Sequence, residues 1–235
     1  MTVAVKTAIR RILGVMGWQI YRARGGIFLC PVLRAARPDG APAAAGATRL
    51  HLGCGNVRLD GYLNVDVCPS PAVDLVADIV NLPMFADASL EEIRMSAVLE
   101  HLYRYQRAAA LREWHRLLRP GGTLRIDHLP DFAFIARAYV ERKPGVLRPT
   151  FDLDEVYRYT HGDPVPWNAE EQLHKDLFTR ESVACELEAA GFQGVEVVNA
   201  PYRNEVHALS LNAVARKPAA TAAGPVTPGD ASGTG

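Results

Sequence analysis

Long hydrophobic runs are missing from this sequence of 235 residues. No apolar run reaches the roughly 18 residues that a membrane-spanning helix needs, so the sequence does not predict a membrane bundle. The four cysteines, at positions 30, 54, 68 and 185, have neither the close pairing of a zinc site nor the density of a disulfide scaffold. We therefore expect reduced thiols in a cytoplasmic protein. We also predict no metal, because neither His-x-x-x-His nor Cys-x-x-Cys spacing occurs.

Net charge is also missing, since 26 basic residues balance 26 acidic residues, but the charge is unevenly distributed. Residues 1–47 carry seven Lys or Arg and one Asp, a charge of 7 − 1 = +6, so the remainder carries −6. Because an acidic body repels phosphates, we do not expect nucleic acid as a substrate. Apolar residues at helical spacing predict a basic amphipathic helix over residues 3–24. It could pack on its own domain, or its residues 1–24 could contact an anionic membrane at the inner face or a partner.

Small residues and proline divide the chain into four parts. We predict a basic amphipathic extension over 1–34, a linker over 35–48, a folded domain over 49–216 and a disordered tail over 217–235. The folded part is long enough to hold one good-sized core.

Strands and helices alternate within the folded part. Strands are predicted over 49–52, 62–66, 73–78, 92–97 and 123–127, helices over 106–119, 131–142 and 179–191, and a hairpin over 195–214. This pattern predicts an α/β fold with a doubly wound, mostly parallel seven-stranded sheet, in which the terminal hairpin supplies one antiparallel strand. The aromatic-rich stretch 143–178 has no clear periodicity.

A glycine loop follows the first predicted strand of this domain. Gly53 and Gly55 flank Cys54, where a small packing side chain fits. The next two strands end near acids, Asp66 and Asp78. Because ligands bind at the carboxyl ends of strands in open α/β sheets, we predict a nucleoside site formed by the loop and the two acids.

A nicotinamide-binding oxidoreductase is the main rival interpretation. Its fingerprint needs Gly-x-Gly-x-x-Gly, but Arg58 stands where the third glycine belongs. Its ribose-binding acid is also expected about 20 residues after the loop, whereas Asp66 follows Gly53 by only 13. Both differences argue against a nicotinamide-binding oxidoreductase.

Five motifs in this order resemble those of class I S-adenosylmethionine-dependent methyltransferases, specifically a type 11-like bacterial branch with a Rossmann-like fold. The resemblance implies S-adenosylmethionine as the cofactor. Gly53, Cys54 and Gly55 would then approach its methionine part, Asp66 its ribose, and Asp78 with Ile79 its adenine. Glu100 and His101 would face the reacting region. The motifs are Leu50–Gly55, Asn64–Asp66, Val76–Ile79, Val98–His101 and Arg116–Gly122.

The sequence departs from this family after the glycine loop. Only seven residues, 56–62, precede the next strand, whereas a parallel crossover normally needs a dozen or more. We therefore expect the first helix to be absent or one turn long.

Methyl transfer to a hydroxyl requires a base, and histidine is the side chain best suited to this role near neutral pH. We predict His128, just past the fifth strand, and His101 as candidates, with Glu100 beside them; His161 and His174 lie in the irregular stretch. The resemblance implies a small-molecule or glycan acceptor. A catalytically silent cofactor-binding module remains the alternative.

Overall fold

The computed structural model describes the backbone of residues 18–23 and 26–31, and the backbone and side chains of residues 46–146, 148–162, 172–201 and 207–219. Most of the predicted tail and most of the predicted linker lie outside these ranges. Within the described part of the chain, no helix is long and apolar enough to cross a membrane.

The N-terminal segment contains a strand where the sequence predicted a helix. Strand β1 (Trp18–Ala23) pairs antiparallel with strand β2 (Gly26–Pro31) in a separate two-stranded sheet. The predicted helix over 3–24 is therefore wrong at Trp18–Ala23, and residues 1–17 lie outside the described ranges. Trp, Ile and Tyr in this segment favour extended backbone, and Gly17 weakens any helix before it.

A seven-stranded sheet forms the centre of the domain. Its strands are β3 (Arg49–Leu52), β4 (Leu63–Asp66), β5 (Leu75–Val76), β6 (Leu90–Ser96), β7 (Leu118–Pro130), β8 (Gln193–Ala200) and β9 (Ser210–Arg216). They lie in the order β5-β4-β3-β6-β7-β9-β8, and β9 runs antiparallel to both of its neighbours. The other pairings are parallel, which confirms the predicted fold class.

The described residues form four α-helices: α1 (Arg104–Leu117), α2 (Phe132–Val140), α3 (Leu153–His161) and α4 (Arg180–Ala189). Helix α4 begins as predicted at Thr179, whose side chain accepts a hydrogen bond from the Ser182 N–H. Helix α2 buries Ile135 and Ala138, whereas Phe132 is exposed. Phe132 is the first residue of the helix and lies before the residues that pack in the smaller core.

The buried apolar residues form two cores. The larger core packs α1 and α4 against the sheet, with Trp114, Leu52 and Met95 fully buried. The smaller core joins α2 and α3 to the end of the last hairpin, and it consists of Ile135, Ala138, Phe151, Tyr159 and Leu209. The stretch without periodicity in the sequence therefore contributes a small core of its own.

A buried ion-pair group fixes the segment 172–179 to the helices. Arg107 on α1 donates to Glu186 on α4 at 2.6 Å and to Asp176 at 2.9 Å. Hydrogen bonds from Arg104 and Arg107 hold the pKa of the Asp176 carboxyl well below its usual range. This group holds the segment close to the carboxyl ends of the strands.

Candidate active site

The glycine loop turns sharply because two of its residues adopt left-handed backbone. Gly53 has φ +63° and Gly55 has φ +54°, values that favour glycine. The Gly55 N–H donates to Asp66 Oδ2 at 2.7 Å, and the Ser70 hydroxyl donates to the Gly55 carbonyl at 2.6 Å. The end of β4 therefore supports the loop that follows β3.

The crossover between these two strands contains no helix, as predicted. Instead, hydrogen bonds to Asn64, which is fully buried in β4, hold the crossover in place. The Asn64 amide donates to the carbonyls of Leu59 and Tyr62, and its Oδ1 accepts from the Leu59 N–H. Asp74 accepts from both the backbone and the side chain of Asn64 and pairs with Arg58 at 2.6 Å. Hydrogen bonds from Asn64 lower the pKa of Asp74 to about 2.

A cavity of about 660 Å³ opens where β3, β6 and β7 end. The side of the cavity nearest the sheet contains six predicted site residues: Gly53, Cys54, Gly55, Glu100, His101 and His128. Residues of α3 and of the segment 172–179 also line the cavity: Arg158, Tyr159, Gln172 and His174. The cavity therefore lies between the two cores, next to the glycine loop.

His128 occupies an unusual position at the end of the parallel part of β7. Its φ of +62° is rare for a residue with a side chain, and it lies where the pairing of β7 with β9 shifts register between Ile126 and Leu129. The His128 N–H donates to Asn212 Oδ1 at 2.9 Å, and its Nδ1 shares a hydrogen bond of 2.9 Å with the Ser96 hydroxyl. Three strands thus fix this histidine at the cavity.

Glu100 and His101 lie on a short 3₁₀ turn, Leu99–His101, that follows β6. Burial raises the pKa of the Glu100 carboxyl to about 8, so the group holds its proton at neutral pH. Burial, helped by the neighbouring His174, lowers the pKa of His101 to about 4, so its imidazole is neutral. A neutral imidazole of such low basicity is a weak proton acceptor.

A comparison of the sequence with models of protein families agrees with the fold that the strand order and the glycine loop indicate. Residues 50–126 match the model of a methyltransferase domain. This chain carries a class I S-adenosylmethionine-dependent methyltransferase domain. The resemblance found in the motifs is therefore confirmed, and the cofactor is S-adenosylmethionine.

Solved structures with a similar backbone include several methyltransferases. A methyltransferase from Methanosarcina mazei is 15% identical with a TM-score of 0.48, and the match covers 73% of this chain and 92% of that one. The 1,6-didemethyltoxoflavin-N1-methyltransferase of Burkholderia thailandensis, solved with S-adenosylhomocysteine, is 21% identical with a TM-score of 0.49, covering 76% and 77%. No curated protein matches the sequence.

The residues of the methyltransferase fit this cofactor. A Cβ built on Gly55 would meet no atom within 4 Å, which leaves open space against the loop backbone. Asp66 ends β4, and each of its carboxylate oxygens, one bonded to Gly55 and one to the Cys68 N–H, has a second lone pair for a ribose hydroxyl. Burial raises the pKa of the Cys54 thiol to about 12, so Cys54 packs beside the loop as a neutral group.

Three predicted cofactor residues of the methyltransferase do not line the cavity: Asp66, Asp78 and Ile79. Asp66 is linked to the cavity by the hydrogen bond from the Gly55 N–H. Asp78 is exposed, and its carboxylate accepts from the Val80 N–H at 3.0 Å. Ile79 is buried in the larger core, where its carbonyl accepts from Trp114 Nε1 at 2.9 Å. Asp78 and Ile79 follow β5, the edge strand of the sheet that pairs with β4.

Sequence reasoning missed several residues that form the methyltransferase cavity. Ser96 and Asn212 support His128 from 32 and 84 positions away, distances that no local motif reveals. Arg158 and Gln172 line the cavity from the stretch that has no periodicity. His51 also lines it, and its alternation with Leu50 and Leu52 along β3 was the available signal.

Proposed function

We propose that this methyltransferase methylates a hydroxyl of a small-molecule or glycan acceptor, with His128 as the base. The observation that carries the proposal is the strained backbone of His128 at the cavity, held by Asn212 and Ser96. Strain of this kind costs of order 1–3 kcal/mol and tends to occur at functional sites.

The proposed reaction needs alignment and one proton transfer. S-adenosylmethionine, held by the Gly53–Gly55 loop and Asp66, would supply the methyl group for transfer to the acceptor oxygen, with S-adenosylhomocysteine as the other product. The proton of the acceptor hydroxyl passes to His128. Holding the reactants in line can supply roughly 7–11 kcal/mol of the barrier.

The other candidates fit supporting roles better than that of the base. The pKa of about 4 leaves His101 a poor proton acceptor, and the protonated Glu100 can donate a hydrogen bond but cannot accept the proton. Both residues remain in our proposal as groups of the cavity that contact the acceptor. Tyr159 and Arg158 offer a ring and a cation to a sugar or another polar ring.

For the cofactor, we propose that Gly53 and Gly55 approach the methionine part and that Asp66 binds the ribose hydroxyls. Asp78 and Ile79 contact the adenine after β5. The bond from Gly55 to Asp66 supports the first half of this assignment because it brings the loop and the acid together.

We expect His128→Ala to lower turnover about 10²–10⁴-fold, the usual contribution of a general base, without weakening S-adenosylhomocysteine binding. The assay follows cofactor consumption with a panel of hydroxylated acceptors, including sugars and phenols. His207→Ala is the matched control because His207 bonds to the Pro144 carbonyl outside the cavity. Turnover of His128→Ala at the parent rate would refute the base, and turnover with amines alone would refute the hydroxyl.

We also propose that this cytoplasmic protein contacts an anionic membrane surface through residues 1–24. That stretch contains five Lys or Arg and no acidic residue. Cationic side chains near anionic lipid contribute about 1 kcal/mol each. Deletion of residues 1–24 should therefore reduce pelleting with phosphatidylserine vesicles at low salt, and equal pelleting of both proteins would contradict the proposal.

A further inference from the structure

Two histidines and a glutamate converge on one wall of the cavity. Glu100 and His101 come from the 3₁₀ turn after β6, and His174 comes from the segment 172–179. One ligating atom of each residue lies within 4.8 Å of the other two. The two imidazole rings meet edge to face, with centroids 5.0 Å apart. Three groups that can bind a metal ion, from two segments remote in the sequence, therefore lie close together.

The hydrogen bonds of the two histidines determine where their protons lie. His101 Nδ1 is 3.2 Å from the Leu173 carbonyl, and His174 Nδ1 is 2.9 Å from the Tyr159 carbonyl. Because a carbonyl oxygen only accepts, each ring has a hydrogen on Nδ1, which leaves Nε2 as the ring nitrogen that can bind a metal ion. Metal-binding histidines commonly donate one ring N–H to a backbone carbonyl in this way.

Glu100 supplies a second, independent observation. Its side chain is 1% exposed, and its Oε2 atom has no hydrogen-bond partner among the described residues. A buried carboxyl oxygen without a partner is costly, and a bound cation is one of the few groups that can satisfy it. The Glu100 carbonyl accepts from the Lys175 N–H at 2.7 Å, which fixes the turn beside His174.

Two cationic side chains lie near the cluster and define its electrostatic setting. The Lys175 ammonium donates to the His101 carbonyl at 2.9 Å and lies 4.9 Å from the centre of the Tyr103 ring. Arg158 lines the same cavity. These charges oppose a cation, so binding depends on the three ligands rather than on a negative field.

We propose that Glu100, His101 and His174 bind a divalent transition-metal ion such as Zn²⁺ or Mn²⁺. Binding of the ion releases the proton that Glu100 holds at neutral pH, so that Glu100 binds as a carboxylate. Two imidazoles and one carboxylate suit these ions, whereas Mg²⁺ and Ca²⁺ prefer ligand sets made of oxygen alone. With Zn–N and Zn–O bonds of about 2.0–2.2 Å, the ligand atoms would close to roughly 3.3 Å from one another. The sequence predicted no metal because motif spacing detects only neighbouring ligands, and this cluster replaces that prediction.

An ion at this place keeps coordination positions for an acceptor oxygen within the cavity. Such a role rests on the proposed methyl transfer, but binding of the ion does not. The test therefore measures binding of the metal alone, without cofactor or acceptor. Its failure would leave the turnover assay with His128→Ala unaffected, so the two proposals can fail separately.

Isothermal titration of the full-length, metal-stripped chain with ZnCl₂ and MnCl₂ tests the proposal, provided that the protein carries no histidine tag. We expect one ion per chain. Glu100→Gln and His174→Gln should each weaken binding by at least about 10-fold, since even outer partners of metal ligands contribute that much. His207→Ala removes a histidine outside the cluster and should bind like the parent.

The variants are checked for folding by their thermal shift with S-adenosylhomocysteine. If one ligand variant does not fold, the other still decides the outcome, and His101→Gln provides a third. Absence of saturable binding by the parent would overturn the proposal. Binding that all three ligand variants retain at parent affinity would overturn it as well.

Discussion

Gly53 shows at the scale of one residue why this loop needs glycine. Its φ of +63° is left-handed, and a Cβ at this position would lie 2.4 Å from Val98 Cγ2. Valine is stiff at χ1, so the clash could not be relieved by a simple rotation. The sequence predicted a sharp turn here, but the close approach to Val98 depends on the turn after β6 and was not visible.

Gly53→Ala should lower the free energy of unfolding by roughly 2–4 kcal/mol, from left-handed strain together with overpacking. Gly61→Ala is the matched control, because Gly61 has φ +81° but no atom within 4 Å of a built Cβ. We expect it to cost only about 1–2 kcal/mol. Urea denaturation of the two variants measures the difference, and equal losses would mean that Val98 does not restrict the loop.

His128 illustrates what residue patterns can and cannot predict about the site. The sequence placed it just past a strand over 123–127, whereas β7 extends to Pro130 and His128 lies within this strand, directly after its parallel pairing with β6 ends. Its support by Ser96 and Asn212 did not follow from the sequence, because those residues reach it from other strands of the sheet. The position of a histidine in the sequence can therefore identify it as a candidate base. The choice between His128 and His101 required their contacts and burial in the structure.

At the scale of elements, the crossover after the glycine loop is the feature that sets this domain apart. Counting residues predicted that the first helix is missing. The replacement, a network around buried Asn64 with Asp74 and Arg58, could not be predicted because polar residues in a short loop have many possible partners. The predicted N-terminal helix is wrong at Trp18–Ala23 because the prediction relied on the helical spacing of apolar residues. It gave too little weight to the β-propensity of this segment.

Asp74 in the crossover makes the free energy of unfolding depend on pH. Its folded pKa of about 2 lies below the ordinary aspartate pKa of 3.8, so its contribution to stability is complete above pH 4 and is lost as the pH falls towards 2. Asp74→Asn should lose roughly 1–3 kcal/mol of unfolding free energy at pH 7, because hydrogen bonds to a charged group weaken. It should also lose less stability than the parent between pH 4 and pH 2.

Chemical denaturation at pH 7, 4 and 3 measures this dependence. Asp60→Asn is the control, because Asp60 is an exposed acid on the same crossover. An identical pH profile for parent and Asp74→Asn would contradict the role of Asp74 in holding the crossover.

At the scale of the whole molecule, alternating strands and helices were enough to predict the sheet. Parallel neighbours require crossovers, so the element order restricts the topology strongly. The smaller core was not predicted, because it joins residues of the predicted helix α2 to Phe151 and Tyr159, from a stretch without periodicity, and to Leu209 of a distant hairpin. Since the cavity lies between the two cores, the sequence did not reveal that Arg158, Tyr159 and Gln172 line it.

The central claim is that the glycine loop and the cavity form one methyl-transfer site. A crystal structure of the full chain with S-adenosylhomocysteine tests it most directly. We predict the ribose at Asp66 and the sulfur at the cavity, between the Gly53–Gly55 loop and the His128 side chain. A nucleoside bound elsewhere, or a sulfur atom separated from the cavity by the cores, would contradict the account.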